Sequence, residues 1–286
     1  MKENNVLLKE TISVDIKPGE FLMIINNKKK LSINSKVTFK GENIITIATN
    51  HSKKVNNTFM SLIKAYLTSL NPIRSIGKQC LEVISQHSGL SLNESEVKLK
   101  EILGNLLCPN TEILLKSLPY KLEAYEKQRL MLALAFLIKP QLIVLDDSIF
   151  DAEPKAKNYI LEQIEELKKE NCSFILISKK LQSVVSCVEN IAIMYKGTIV
   201  EYGKKDLILS DPMHPHTRCF LNYRSFLSLS EKSAEVTHYV KGINNLPRTG
   251  CSFCLKCKEA SYDCIYISPK IKTIGNERQV ICALGN

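Results

Sequence analysis

Between residues 126 and 195 the chain alternates stretches of helical spacing with strands that are apolar on both faces. A helix is predicted around Glu126 to Ile138, followed by the strand LIVLD, a helix from Pro154 to Lys169, the strand SFILIS and the strand IAIMY. Strands without polar alternation must be covered on both sides, which is the situation of a parallel sheet flanked by helices. In the second helix Ile160, Leu161, Ile164 and Leu167 fall on one face, and Glu165 and Lys169 can pair across one turn of the other. The expected fold class is therefore α/β.

Around this centre the pattern changes. The first fifty residues read as short strands with turn signals, ISVDI, the PGE turn, FLMII, KVTFK, a turn at Gly41 and NIITIA, which suggests an antiparallel β region. From Met60 to about Lys116 apolar residues recur three and four apart, as in IGKQCLEVISQHSG and EVKLKEILGNLL, and predict a mostly helical insert. KGTIVEYG reads as a hairpin ending at Gly203, a helical segment runs past Asp206 towards Ser228, and a small cysteine-rich tail lies beyond Thr237. The 286 residues, 44% of them apolar, suffice for one large domain or two modest ones with a real core.

Composition narrows the function classes. The opening MKENNVLLKE has no apolar signal core, and the longest strongly apolar run, Leu130 to Ile138, is too short to cross a bilayer, so a cytosolic chain is expected. The formal charge of +10 is spread over the whole chain, which reads as a solvated basic surface rather than a nucleic-acid footprint. Ten cysteines in a reducing compartment are not expected to form structural disulfides. Five of the ten, Cys251, Cys254, Cys257, Cys264 and Cys282, crowd into the tail and offer soft ligands for a tetrahedral zinc or an iron-sulfur cluster.

LIVLDD, Leu142 to Asp147, is a strand whose C-terminal end presents two acids, the arrangement by which nucleotide hydrolases hold magnesium and activate water. A helix start at Gln128 and Arg129 precedes it, and a strand ending at Ile177 and Ser178 follows after a helix. In this setting the run LPYKLEAYEKQRLMLALAFLIKPQLIVLDD resembles the signature motif, helix and Walker B strand of the ABC ATPases, with the spacing kept. LTSLNP at Leu67 to Pro72, MYKGTIVEYG at Met194 to Gly203 and DPMHPHT at Asp211 to Thr217 resemble the oligopeptide and dipeptide importer branch of that family. The resemblance implies an ABC-type nucleotide-binding domain over residues 1–228. It would have a RecA-like parallel sheet core, an N-terminal antiparallel β region and a helical insert at about 73–125, with a cysteine-rich extension over residues 229–286.

The family's phosphate-contacting motifs are altered. A Walker A loop needs glycines, so that backbone N–H groups can wrap the phosphates, and a lysine to neutralise their charge. The aligned stretch is Asn26, Asn27, Lys28, Lys29, Lys30, Leu31, Ser32 and Ile33, with no glycine and with Ser32 at the lysine position. The signature is Leu122, Glu123, Ala124, Tyr125 and Glu126, which sets two carboxylates and a bulky ring where phosphate should approach. Lys64 stands at the glutamine-loop position and Lys179 at the switch histidine position. Asp146 keeps the magnesium-side acid, and Asp147 replaces the catalytic glutamate with a side chain one methylene shorter.

The expectation is a degenerate, non-hydrolysing subunit of a peptide-import ABC transporter with neither ATP nor magnesium at its own site. It would pair with a competent second ATPase subunit, dock through the region near Lys64 to Pro72 onto two transmembrane permease subunits at the cytoplasmic face of the membrane, and serve a peptide-binding protein indirectly. Nucleic acid is not expected as a partner. Cys251, Cys257, Cys264 and Cys282 match the spacing of a C-terminal segment in which that branch can hold a four-iron cluster, so the resemblance implies 4Fe-4S, with zinc as the alternative that the extra Cys254 would suit. Two other readings are open: an unorthodox active ATPase using Lys28, Lys29 and Lys30 as a phosphate clamp, or a soluble iron-sulfur or nucleic-acid-binding regulator.

Overall fold

A computed structural model describes residues 12–26, 36–44, 59–61, 70–179, 181, 186–227 and 250–282 of the chain. In chain order its strands are β1 (Ser13–Ile16), β2 (Phe21–Asn26), β3 (Lys36–Phe39), β4 (Glu42–Asn43), β5 (Phe59–Ser61), β6 (Leu142–Asp146), β7 (Ser173–Ser178), β8 (Asn190–Tyr195), β9 (Thr198–Lys204), β10 (Ile271–Ile274) and β11 (Arg278–Ile281). Its helices are α1 (Ile76–Ser88), α2 (Leu92–Asn105), α3 (Thr111–Lys116), α4 (Ala124–Ile138), α5 (Pro154–Lys169), α6 (Lys205–Ser210), α7 (Pro215–Leu227) and α8 (Asp263–Tyr266). The chain divides into two compact units, one built around Ile16–Met23 and the residues up to Val188, the other from residues 24–45 and Glu189 onward together with β1.

The first unit is a mixed α/β body. β6 pairs in parallel with β5 and with β7, Leu142 lying opposite Phe59 on one side and Ser173 on the other. Leu142–Leu145 and Phe174–Leu176 are buried, and Phe21 of β2 packs on Phe174 with ring centroids 5.4 Å apart. The turn at Lys17–Glu20 is stitched to β7: Ser173 Oγ donates to Lys17 O at 2.8 Å, and Phe174 N–H donates to Glu20 O at 2.8 Å. α4 is buried continuously from Leu130 to Ile138, as a helix enclosed on all sides must be. On α5 the buried stripe is Ala156, Ile160, Ile164 and Leu167, with Leu161 only partly covered. Glu165 pairs with Lys168, one residue short of the expected Lys169, and Lys169 pairs with Glu166.

The helical insert contains α1, α2 and α3, of which α2 carries a side-chain cap at its start. Ser91 and Glu94 form a reciprocal capping box at the start of α2, the Glu94 N–H donating to Ser91 Oγ at 3.3 Å and the Ser91 N–H to Glu94 Oε2 at 3.0 Å. Met60, expected to open the helical stretch, instead lies in β5.

In the second unit β3 pairs antiparallel with β4 in the three-stranded order β1-β3-β4, as the N-terminal strand pattern suggested. β2 does not join them. All six of its side chains are buried, so it is a core strand rather than a half-exposed meander strand. β8 and β9 form the expected hairpin through Lys196 and Gly197, both at positive φ (48° and 87°), the signature of a two-residue type I′ turn. β8 is therefore antiparallel to its neighbour, unlike β6 and β7. β11 pairs antiparallel with β9 and β10 with β11, so the C-terminal hairpin extends the sheet.

Among the described residues no helix is long and apolar enough to cross a membrane.

Candidate functional site

β6 delivers its two acids where the strand ends. Asp146 caps the one-turn 3-10 helix Asp147–Phe150, its Oδ1 accepting the Ser148 N–H at 3.0 Å and the Ser148 hydroxyl. Gln128 of α4 donates its Nε2–H to Ser148 Oγ, so α4 is tied to the end of β6 through one hydroxyl. The parallel register sets Asp146 opposite Ile177, which carries Ser178 and Lys179 past Asp147. Asp147 Oδ2 accepts from Ser178 Oγ at 3.1 Å and from the Lys179 backbone N–H at 3.2 Å. The structure thus sets the Lys179 backbone against Asp147, with the Lys179 side chain exposed to solvent.

The segment Leu122 to Glu126 builds the start of α4. Leu122 is buried, and Glu123 and Glu126 form a reciprocal capping box in which the Glu123 N–H donates to Glu126 Oε2 at 2.9 Å. Both carboxylates therefore satisfy otherwise orphaned amide donors at the helix start, a local reason for acids at these positions. Tyr125 is 43% exposed and lies under the Arg129 guanidinium, 5.2 Å from the ring centroid. Arg129 also donates to Leu107 O. Asn26 is the buried last residue of β2. Asn27, Lys28, Lys29, Lys30, Leu31, Ser32 and Ile33, and Lys64, lie outside the described residues.

In the other unit, Cys251, Cys254, Cys257, Cys264 and Cys282 line one pocket with His214 and Phe253. Two segments meet there in tight backbone contact: the Cys251 N–H donates to Cys264 O at 2.8 Å and the Gly250 N–H to Ile265 O at 3.1 Å. A Cβ at Gly250 would collide with Cys264 O, so only glycine fits there. Burial pushes the Cys257 thiol up to about 11 and raises Cys251 as well. His214 and His216 lie in an aromatic group with Tyr195 and Phe253, and burial depresses them to about 3 and about 4.

The expectation of a 4Fe-4S cluster, or of zinc, on Cys251, Cys257, Cys264 and Cys282 is corrected. A thiolate metal centre needs its sulfurs gathered about 2.3 Å from one point. Among the described residues no group of three or more His, Cys, Asp or Glu side chains is placed to hold a metal ion. Cys254 and Cys264 instead pack as small core residues with Ile265, and Cys264 Sγ sits 3.4 Å from Ser261 Oγ.

Two groups the sequence reading missed organise this unit. Glu201 of β9 is fully buried, and its Oε1 accepts from Arg278 Nε at 3.1 Å and from the Met213 N–H at 3.0 Å, while Oε2 accepts the His214 N–H at 3.0 Å. One carboxylate thereby fixes both β11 and the DPMHPHT loop. The only sequence signal was an acid inside the apolar strand TIVEYG, and nothing marked Arg278 as its partner.

Residues 200–264, which take in most of β9, this loop and four of the five tail cysteines, match the family model of the oligopeptide/dipeptide transporter C-terminal region. The chain is 28% identical over 262 residues to the dipeptide transport ATP-binding protein DppD of Haemophilus influenzae, covering 91% of this chain and 78% of that one. Its homologues are ATP-binding proteins of oligopeptide and dipeptide ABC transporters. They include the oligopeptide transport ATP-binding protein AppD of Bacillus subtilis, 27% identical over 87% of this chain and 76% of that one. The oligopeptide transport ATP-binding protein OppD of Salmonella typhimurium is 28% identical over 81% of this chain and 70% of that one. Among solved structures, an ATP-binding subunit of an ABC transporter matches at 21% identity over 67% of this chain and 81% of that one, with a TM-score of 0.49. These relatives are named for ATP binding, which overturns the expectation that ATP, and with it magnesium, has no place at this chain's site.

Proposed function

We propose that this chain is an ATP-binding subunit of a peptide-import ABC transporter that holds nucleotide without turning it over. In this reading it sits at the cytoplasmic face of the membrane on two permease subunits supplied by a peptide-binding protein, and it pairs with a second, hydrolysing ATP-binding subunit. ATP closes two rigid bodies against each other, and one active site suffices to reopen both. The peptide-transport relatives support the assignment to this kind of transporter.

The observation that carries the non-hydrolysing half of the proposal is the state of Asp147. A general base must keep an oxygen within about 3 Å of the attacking water. Asp147 is the shorter acid at the catalytic position, and its Oδ2 is already taken by Ser178 and Lys179. The altered signature supports the same reading, because Glu123 and Glu126 are occupied in capping α4.

Purified chain incubated with γ-labelled ATP and magnesium should retain nucleotide and release no labelled phosphate, and Asp147→Ala should leave that baseline unchanged. In a hydrolysing site, loss of the base would cost about 10²–10⁴-fold in rate. Phosphate release by the isolated chain at about 1 per second or faster, abolished by Asp147→Ala, would sink the proposal.

A further inference from the structure

Gln128 of α4, Ser148 and Asp146 form a directed hydrogen-bond chain at the end of β6. The Gln128 Nε2–H donates to Ser148 Oγ, and the Ser148 hydroxyl donates to Asp146 Oδ1. A hydroxyl has a single proton, so with Gln128 occupying a lone pair that proton is committed to the carboxylate. The Ser148 backbone N–H reaches the same oxygen at 3.0 Å. Asp146 Oδ1 therefore carries two donors, while Oδ2 accepts from none of the described residues. Asp147 is divided in the same way: Ser178 Oγ and the Lys179 N–H both reach Oδ2, and no described residue donates to Oδ1.

The donor set fits the divalent cation that accompanies ATP. Both acids are partly exposed and offer hard carboxylate oxygens. Among the described residues no group of three or more ligating side chains gathers here, and magnesium needs few protein ligands, because nucleotide phosphates and water complete its shell. Candidate cations differ in what they ask of a carboxylate. Magnesium takes single oxygens at about 2.0–2.1 Å in an octahedron, whereas calcium takes roughly six to eight oxygens at about 2.3–2.6 Å and readily binds a carboxylate through both. A carboxylate oxygen that already accepts two hydrogen bonds has no lone pair left for a cation, so Asp146 offers one oxygen only. Capping alone does not require the Ser148 hydroxyl, since the Ser148 N–H already satisfies the cap.

We propose, on the reading that this chain binds ATP, that Ser148 determines which divalent cation it accepts with the nucleotide. Ser148 is a positioning residue. Held by Gln128, it blocks one Asp146 oxygen and leaves the other open, which suits magnesium and disfavours calcium.

Retention of labelled ATP by the full chain is measured by filter binding, with magnesium or calcium as the only divalent cation. The unaltered chain should retain ATP about tenfold more tightly with magnesium than with calcium. Ser148→Ala, which keeps the capping amide, should narrow that ratio about threefold or more by strengthening retention with calcium, the worth of one hydrogen bond. Ser148→Thr, which keeps the hydroxyl, should hold the ratio of the unaltered chain. Gln128→Leu leaves the hydroxyl free to turn away and should narrow the ratio in the same direction as Ser148→Ala. An unchanged ratio in Ser148→Ala or Gln128→Leu, a ratio that Ser148→Thr fails to hold, or equal retention with both cations in the unaltered chain overturns the assignment and leaves ATP binding standing. No retention with either cation overturns the ATP-binding reading and the cation assignment together. If Ser148→Ala fails to fold, as judged by circular dichroism, Gln128→Leu decides.

Discussion

Glu201 shows how much a single side chain can decide. Its partner Arg278 is 5% exposed, so removing the carboxylate leaves a buried guanidinium with only the exposed Asp211 carboxylate, 3.6 Å away, as counter-charge. Glu201→Ala should lower stability by about 3–5 kcal/mol. Glu201→Met with Arg278→Met should recover most of that loss, because an apolar pair of similar volume has no charge to desolvate. Urea midpoints of the three proteins check this. Arg278→Met alone should instead leave the Glu201 carboxylate held only by the Met213 and His214 amides. None of this was legible in the sequence. The two residues lie 77 apart, and pairing across that separation leaves no local pattern. The strand ending in Asp146 and Asp147 was legible from its apolar run, while the contact of Asp147 with the end of β7 follows from the parallel register of β6 and β7.

At the scale of elements, α4, α5, β6, β7 and β8 follow their apolar periodicity closely. Elements whose apolar pattern is uninformative were misassigned. β2 is buried on both faces and shows no alternation, so the sequence placed it with β1 and β3, whereas it lies in the large sheet. Glu123 and Glu126 were read for their charge alone, yet their spacing is that of a capping box. Glu126→Ala should therefore cost about 1 kcal/mol of stability by urea unfolding, in the range of other lost helix caps. Nucleotide retention, measured by filter binding, should change far less.

For the molecule as a whole, the buried histidines predict an acid limit to stability. Burial holds His214 at about 3 and His216 at about 4 in the folded protein, against about 6.5 for an unfolded histidine. The unfolded chain therefore binds protons first as pH falls. The stabilisation is complete above about pH 6.5 and is lost on descending towards pH 4, at about 1.4 kcal/mol per unit for each histidine. Midpoint temperatures recorded between pH 7 and pH 4.5 should fall steadily, and His216→Phe should reduce the slope. Glu82 and Glu94 are held below the ordinary carboxylate range, chiefly by the hydrogen bonds from Arg74 and Ser91, so they act at lower pH than this window. By itself the sequence determined the α/β class, the strand-end acids and the kinship with peptide-transporter ATP-binding proteins, because these are written in periodicity and short-range spacing. Only the tertiary structure decided that Asp147 is engaged by β7, that Glu201 anchors the C-terminal hairpin, and that the tail cysteines share one pocket with His214 and Phe253. Hydrogen-bond partners and the convergence of side chains on a point depend on contacts between segments far apart in the chain, which no local pattern records.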